Sequence, residues 1–152
     1  MKKVIFLAAI FAAPMAMACP DLAGNYSCVI DGQPKRTIVS QAELGGVMNY
    51  RIDQEDADSI ELIADGMDHD ASRWMDGLDQ AVYNASCDGD ARLMINANGI
   101  IMNEGQPMGK LQVLIAASRD GAGNLAQNVT GMITGDFGSF PVDEQNLVCA
   151  RE

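Results

Sequence analysis

The chain has 152 residues, with 21 acidic against 10 basic side chains, one histidine and a formal charge of −11. A surface this acidic repels nucleic acid and anionic lipid, so neither is expected as a partner, and a basic protein is the complementary choice. Its four cysteines show no CxxC or Cys/His spacing, so they read as two disulfides of an exported chain rather than as a zinc site.

The N-terminus, MKKVIFLAAIFAAPMAMA, has a positive start at Lys2 and Lys3, an apolar run from Val4 to Ala13, a break at Pro14 and a small-x-small site at Ala16-Met17-Ala18. This is the pattern of a cleaved signal peptide over residues 1–18. The run is about half as long as a spanning helix needs, so no membrane span is expected. Cleavage leaves 19–152 as a single disulfide-bonded domain, more acidic by the two lost lysines, in the periplasm or secreted. Cys19 directly follows Ala18, so a lipoprotein anchored through Cys19 is the alternative. Ala16 stands where lipoprotein signals usually carry leucine, and lipidation would leave an odd thiol, so simple cleavage is favoured.

From there the chain is punctuated by turn dipeptides: Asp31-Gly32, Gly45-Gly46, Asp65-Gly66, Asp88-Gly89, Asn98-Gly99 and a further turn at Gly121. Glycine beside Asn or Asp supplies the positive φ angles of tight hairpins. Between the turns residues alternate: Met48, Tyr50 and Ile52 oppose Asn49, Arg51 and Asp53, and Leu93, Ile95, Leu111 and Val113 follow the same rule. Period two with frequent turns predicts an all-β, antiparallel up-and-down meander of about eight to ten strands. A sheet that long closes into a barrel or splits into a β-sandwich, and the barrel is the first reading. Its inward residues Met48, Tyr50, Ile52, Leu93, Ile95, Leu111 and Val113 are the candidate lining for a small apolar ligand, although a filled interior fits the same pattern.

One segment departs from this rule. In Asp65–Gln80, Met67, Ala71, Trp74 and Leu78 recur at helical spacing, with Asp70 as N-cap and Gly77 as stop, which predicts a short helix near 70–77. Trp74 is expected to close one end of the core beside Met67, Met75 and Leu78. The acidic residues Asp65, Asp68, Asp70 and Asp76 form a solvated face that would meet a basic partner. Asn84, Ser86, Asp88 and Gly89 match the start of a calcium loop, but Ile95 stands where a bidentate Glu is needed. No metal or cofactor is therefore expected. His69, read as an exposed loop residue, has no recognisable nucleophile to serve, so the chain is read as non-enzymatic.

The disulfide pairing follows from strand counting. Cys28 lies near the end of the first strand (24–30) and Cys87 ends the fifth (81–87). In a meander those two strands run the same way and finish at the same rim, which pairs Cys28 with Cys87. Cys19 then pairs with Cys149 by exclusion, joining the two ends of the chain.

The opening CPDLAGNYSC resembles the first strand of lipocalin-like (calycin) barrels, which carries Gly-x-Trp or Gly-x-Tyr, and small exported bacterial proteins that open Cys-Pro-x-Leu-x-Gly-x-Tyr-x-Cys. The resemblance implies that Tyr26 plugs the closed end of the barrel, with Arg151 against it, and that the protein binds a ligand. Tyr26-Ser27-Cys28 followed by Asp31-Gly32 is also similar to the start of small periplasmic lysozyme inhibitors, although their Ser-Gly-x-Arg-Tyr inhibitory loop is absent. That second resemblance implies an inhibitor of a basic protein as the alternative function.

Overall fold

Alternating apolar and polar side chains, broken at glycine turns, organise the computed structural model, which describes residues 18–152. The expected signal segment, residues 1–18, lies outside the described residues except for Ala18. The described residues form ten strands: β1 (Gly24–Ile30), β2 (Gln33–Leu44), β3 (Val47–Gln54), β4 (Ile60–Ile63), β5 (Asp68–Asp70), β6 (Leu78–Asp88), β7 (Arg92–Asn103), β8 (Gln106–Arg119), β9 (Leu125–Gly135) and β10 (Gly138–Arg151). Every pairing is antiparallel, in the order β4-β3-β2-β1-β10-β9-β8-β7-β6-β5.

The sheet curls into a nearly closed barrel. Its edges, β4 and β5, are joined by residues 64–67, which cross the gap. Ala64 N donates to Met48 O on β3 at 2.9 Å, and Gly66 N donates to Ala85 O on β6 at 2.8 Å. Ile63 N adds a bond to the Tyr83 hydroxyl at 3.2 Å. The first and last strands meet over Tyr26↔Arg151 and Ser27↔Ala150 and then part. Cys28 and Cys149, the next pair inward in that register, are bonded to each other.

One rim of the barrel is crossed by the segment that precedes β1. Tyr50 Oη donates to Pro20 O at 2.9 Å, and Gln41 Oε1 accepts from Leu22 N at 2.8 Å and from Ala23 N at 3.1 Å. Cys19 is tied across the rim to Cys87 at the end of β6. Leu22, Tyr26, Tyr50, Leu62 and Leu93 form the buried heart of the core above this floor. At the other end β7–β10 run past the shorter strands. There Leu111, Ile133 and Phe140 lie opposite one another on the inner face, and Val113 and Val142 flank Gly131 in the next row.

Three expectations are corrected. The predicted helix near 70–77 is a single turn, held by one helical bond from Met75 N to Ala71 O at 3.0 Å, and among the described residues there is no helix. Asp70 does accept from Ser72 N at 3.1 Å, as a cap would, but Gly77 with φ 80° ends the turn at once and Leu78 starts β6. The dipeptide Asn98-Gly99 sits inside β7 rather than at a turn. A Cβ on Gly99 would stand 2.9 Å from Leu78 Cβ, so the glycine is there for close approach between strands.

The third correction concerns the disulfides, which are Cys19–Cys87 and Cys28–Cys149 rather than Cys28–Cys87 and Cys19–Cys149. The three-residue β5 makes Cys87 the end of a sixth strand, which runs against β1. Cys87 therefore lies at the floor with Cys19, while Cys28 faces its neighbour on β10. Two disulfides are the chemistry of an oxidising, exported location. No helix among the described residues is long and apolar enough to cross a membrane.

Candidate ligand cavity

Above the floor the barrel keeps a cavity of about 200 Å³. Strands β1–β4 and β7–β10 contribute to it, largely through inward positions of the period-two pattern, among them Thr37 and Val39 of β2, Tyr50 and Ile52 of β3, Leu62 of β4, Leu93 and Ile95 of β7, Ile115 and Ala117 of β8, and Leu125 of β9. The Cys28–Cys149 bridge lies in its wall. No lining side chain is charged. Val29 and Val148, 62% and 60% exposed, line it where β1 and β10 part, so this side of the cavity meets solvent.

Four of the seven candidate lining residues stand in this wall: Tyr50, Ile52, Leu93 and Ile95. Met48 does not; it packs against the core one step nearer the floor. Leu111 and Val113 do not line it either, because β8 outruns the closed part of the barrel and carries them onto the inner face of the β7–β10 extension. Thr37, Val39, Ile115 and Leu125 were missed. Thr37 and Val39 are two apart, as an inward face requires, but the apolar Ile38 between them hides the alternation. Trp74, expected as a core residue, both lines the cavity and packs on Tyr83 with ring centroids 5.7 Å apart.

The floor is polar where it must be. Tyr26, expected as the plug, is fully buried, and its hydroxyl donates to Leu22 O at 2.8 Å. The partner expected for it, Arg151, is exposed, lies along Gly123 and donates its backbone N–H to Asn124 Oδ1. Arg119 of β8 takes the place beside Tyr26 instead. Its Nη2 donates to the Tyr26 hydroxyl at 3.3 Å and to Ala23 O, and its Nη1 pairs with Asp21 at 3.2 Å. The Tyr26 hydroxyl, and then Asp21, hold the guanidinium above its already high ordinary value. Burial, with a smaller push from Asp21, raises the Tyr50 phenol to about 12.

A second, wider groove of about 770 Å³ runs along the gap between the edge strands β4 and β5 and is polar, with Arg51, Glu61, His69, Asp70 and Arg73 in its walls. His69 belongs to β5 rather than to a loop. Its Nε2 lies 2.8 Å from Asp65 Oδ1 and its ring stacks on Tyr83 at 5.3 Å. The hydrogen bond from His69, and then that from Met67 N, hold the Asp65 carboxyl below its ordinary value. Arg51 is engaged by Asp53 at 3.0 Å and Glu61 at 3.2 Å. Among the described residues no three His, Cys, Asp or Glu side chains gather as metal ligands. Comparison with protein-family models, curated proteins and solved structures finds no match.

Proposed function

We propose that the protein is an exported, non-enzymatic, lipocalin-like binding protein that holds a small apolar ligand in the barrel lumen. The observation that carries this reading is the cavity of about 200 Å³ with an uncharged wall and one side open to solvent. An apolar guest there leaves water without stranding a charge. The site of action is the periplasm or the exterior after simple cleavage. Cys19 already spends its sulfur on Cys87, which favours that route over lipid anchoring.

The test is p-xylene, a neutral probe of suitable size. It should bind saturably and raise the melting temperature, since a guest of the folded state stabilises by mass action. Ile52→Trp, which fills the lumen from β3, should abolish the shift while leaving the β-type circular dichroism unchanged. A probe effect that persists in Ile52→Trp would place binding elsewhere and sink the lumen reading.

A second reading, an acidic interaction module or inhibitor for a basic protein, draws on the outer end of the β7–β10 extension. Phe137 and Phe140, 47% and 52% exposed, stack there at 5.9 Å in a stretch that also carries Asp136, Asp143 and Glu144. Capture of a basic protein that weakens as salt rises would support it.

A further inference from the structure

Two amide side chains stand in the cavity wall where the strand pattern favours apolar ones. Gln54 follows Tyr50 and Ile52 at the next inward position of β3, and Gln127 follows Leu125 at the next inward position of β9. Both are half-buried rather than sealed in the core. The other polar side chains of the wall are out of play: Thr37 Oγ1 is enclosed, and the Tyr50 hydroxyl donates to Pro20 O. Among the described residues neither glutamine amide has a hydrogen-bond partner. Beside Gln127 in register stand Ala117 and Leu147, which have no polar group to offer, and beside Gln54 stands Thr37, whose hydroxyl is itself unpartnered. The outward amide next to Gln127 is engaged by contrast: Asn128 Nδ2 donates to Glu144 Oε1 at 2.6 Å and to Asn146 Oδ1 at 2.9 Å. An amide drawn from water without a partner costs free energy, and leucine at the same place would gain it. Packing gives no reason for these two amides; a guest that hydrogen-bonds them does.

We infer that the lumen takes an uncharged, ring-sized molecule with a carboxamide at one end, held by the Gln54 and Gln127 amides. This rests on the ligand-binding reading above. Size comes from the volume: an apolar cavity of about 150 Å³ holds benzene, so about 200 Å³ admits a ring with one or two small substituents. Neutrality comes from the wall, since an ammonium or carboxylate would lose its hydration with no lining charge to replace it. The carboxamide comes from the glutamines. Each offers N–H donors and a carbonyl acceptor in one plane, and a second carboxamide answers both, donating to the glutamine carbonyl and accepting from its N–H. A ketone or ether would leave the glutamine carbonyl without a donor.

The experiment compares benzamide with cumene, in which an isopropyl group replaces the carboxamide at similar size, on the oxidised protein by NMR titration. Both should bind the wild-type protein saturably. Gln54→Met and Gln127→Met together, which keep the length of each side chain, should weaken benzamide about tenfold or more, the scale of one net hydrogen bond. Cumene should stay within about twofold. The single variants divide the loss between the two positions, and they are read in the same way if the double variant fails to fold. Cumene binding without benzamide binding in the wild type, equal changes for both probes in the variants, or an unchanged benzamide affinity would overturn the amide contact while leaving the cavity reading intact. Failure of both probes to bind the wild-type protein would overturn the cavity reading and this inference together.

Discussion

Tyr50 belongs to both the lumen and the floor. Its ring lines the cavity, and its hydroxyl donates to Pro20 O in the segment that crosses the rim. Removing the hydroxyl strands a buried carbonyl, so Tyr50→Phe should cost about 1–2 kcal/mol, measured as a lower urea midpoint. The same group makes stability depend on pH. Its folded value, about 12, lies above the ordinary tyrosine value of about 10. The folded state therefore keeps a proton that the unfolded chain releases, so the contribution is complete below about pH 10 and is lost as pH rises towards 12. Burial shifts Tyr83 in the same direction. Urea melts between pH 8 and pH 11 should show a falling midpoint above pH 10 in the wild type and a shallower fall in Tyr50→Phe. A midpoint that is flat to pH 11 would contradict the buried phenols.

At the scale of the element, three of the hairpins, β1–β2, β2–β3 and β7–β8, are set by two-residue turns with positive φ at both positions, which matches the right-handed twist of the strands. Asp31-Gly32 has φ of 51° and 75°, and the β7–β8 turn, Glu104-Gly105, has 49° and 77°. Glutamate is a poor residue for the first place in such a turn, where asparagine is favoured. Glu104→Asn should therefore raise the melting temperature by a degree or two, read by calorimetry, a few tenths of a kcal/mol in a domain of this size. The Glu104 turn escaped the sequence reading because glutamate is not turn-forming by type. Asn98-Gly99 attracted it falsely, because a glycine that admits Leu78 looks the same in sequence as one that turns the chain. The helix spacing of Met67, Ala71, Trp74 and Leu78 misled for a related reason. Gly77 stops the turn, and Leu78 is claimed by its pairing with Ile101 in the sheet.

For the whole molecule, the two bridges do separate work. Cys28–Cys149 sits where the first and last strands begin to part, and Cys19–Cys87 holds the floor segment across the rim. They span 121 and 68 residues of sequence, so by loop closure each restrains the unfolded chain by about 4–5 kcal/mol. Replacing Cys28 and Cys149 together by alanine should lower stability by about that amount, a large share of a typical domain's total. Replacing Cys19 and Cys87 should in addition release the floor and weaken p-xylene binding. Non-reducing peptide mapping checks the pairing directly: a Cys28–Cys87 peptide would refute this arrangement.

By itself the sequence determined the fold class. Period-two alternation and glycine turns depend only on neighbours along the chain, and they yielded an antiparallel barrel with Tyr50, Ile52, Leu93 and Ile95 facing inward. The tertiary structure decided what depends on counting and on reach. A three-residue strand, β5, shows almost no pattern, yet it reverses the direction of every strand after it and so redirects both disulfides. Strand lengths are also decided by pairing across the sheet. β7–β10 together outrun the shorter strands, which moves Leu111 and Val113 out of the cavity wall. Arg119 reaches Tyr26 in place of Arg151 because the end of β8, far away in sequence, meets the start of β1 at the floor.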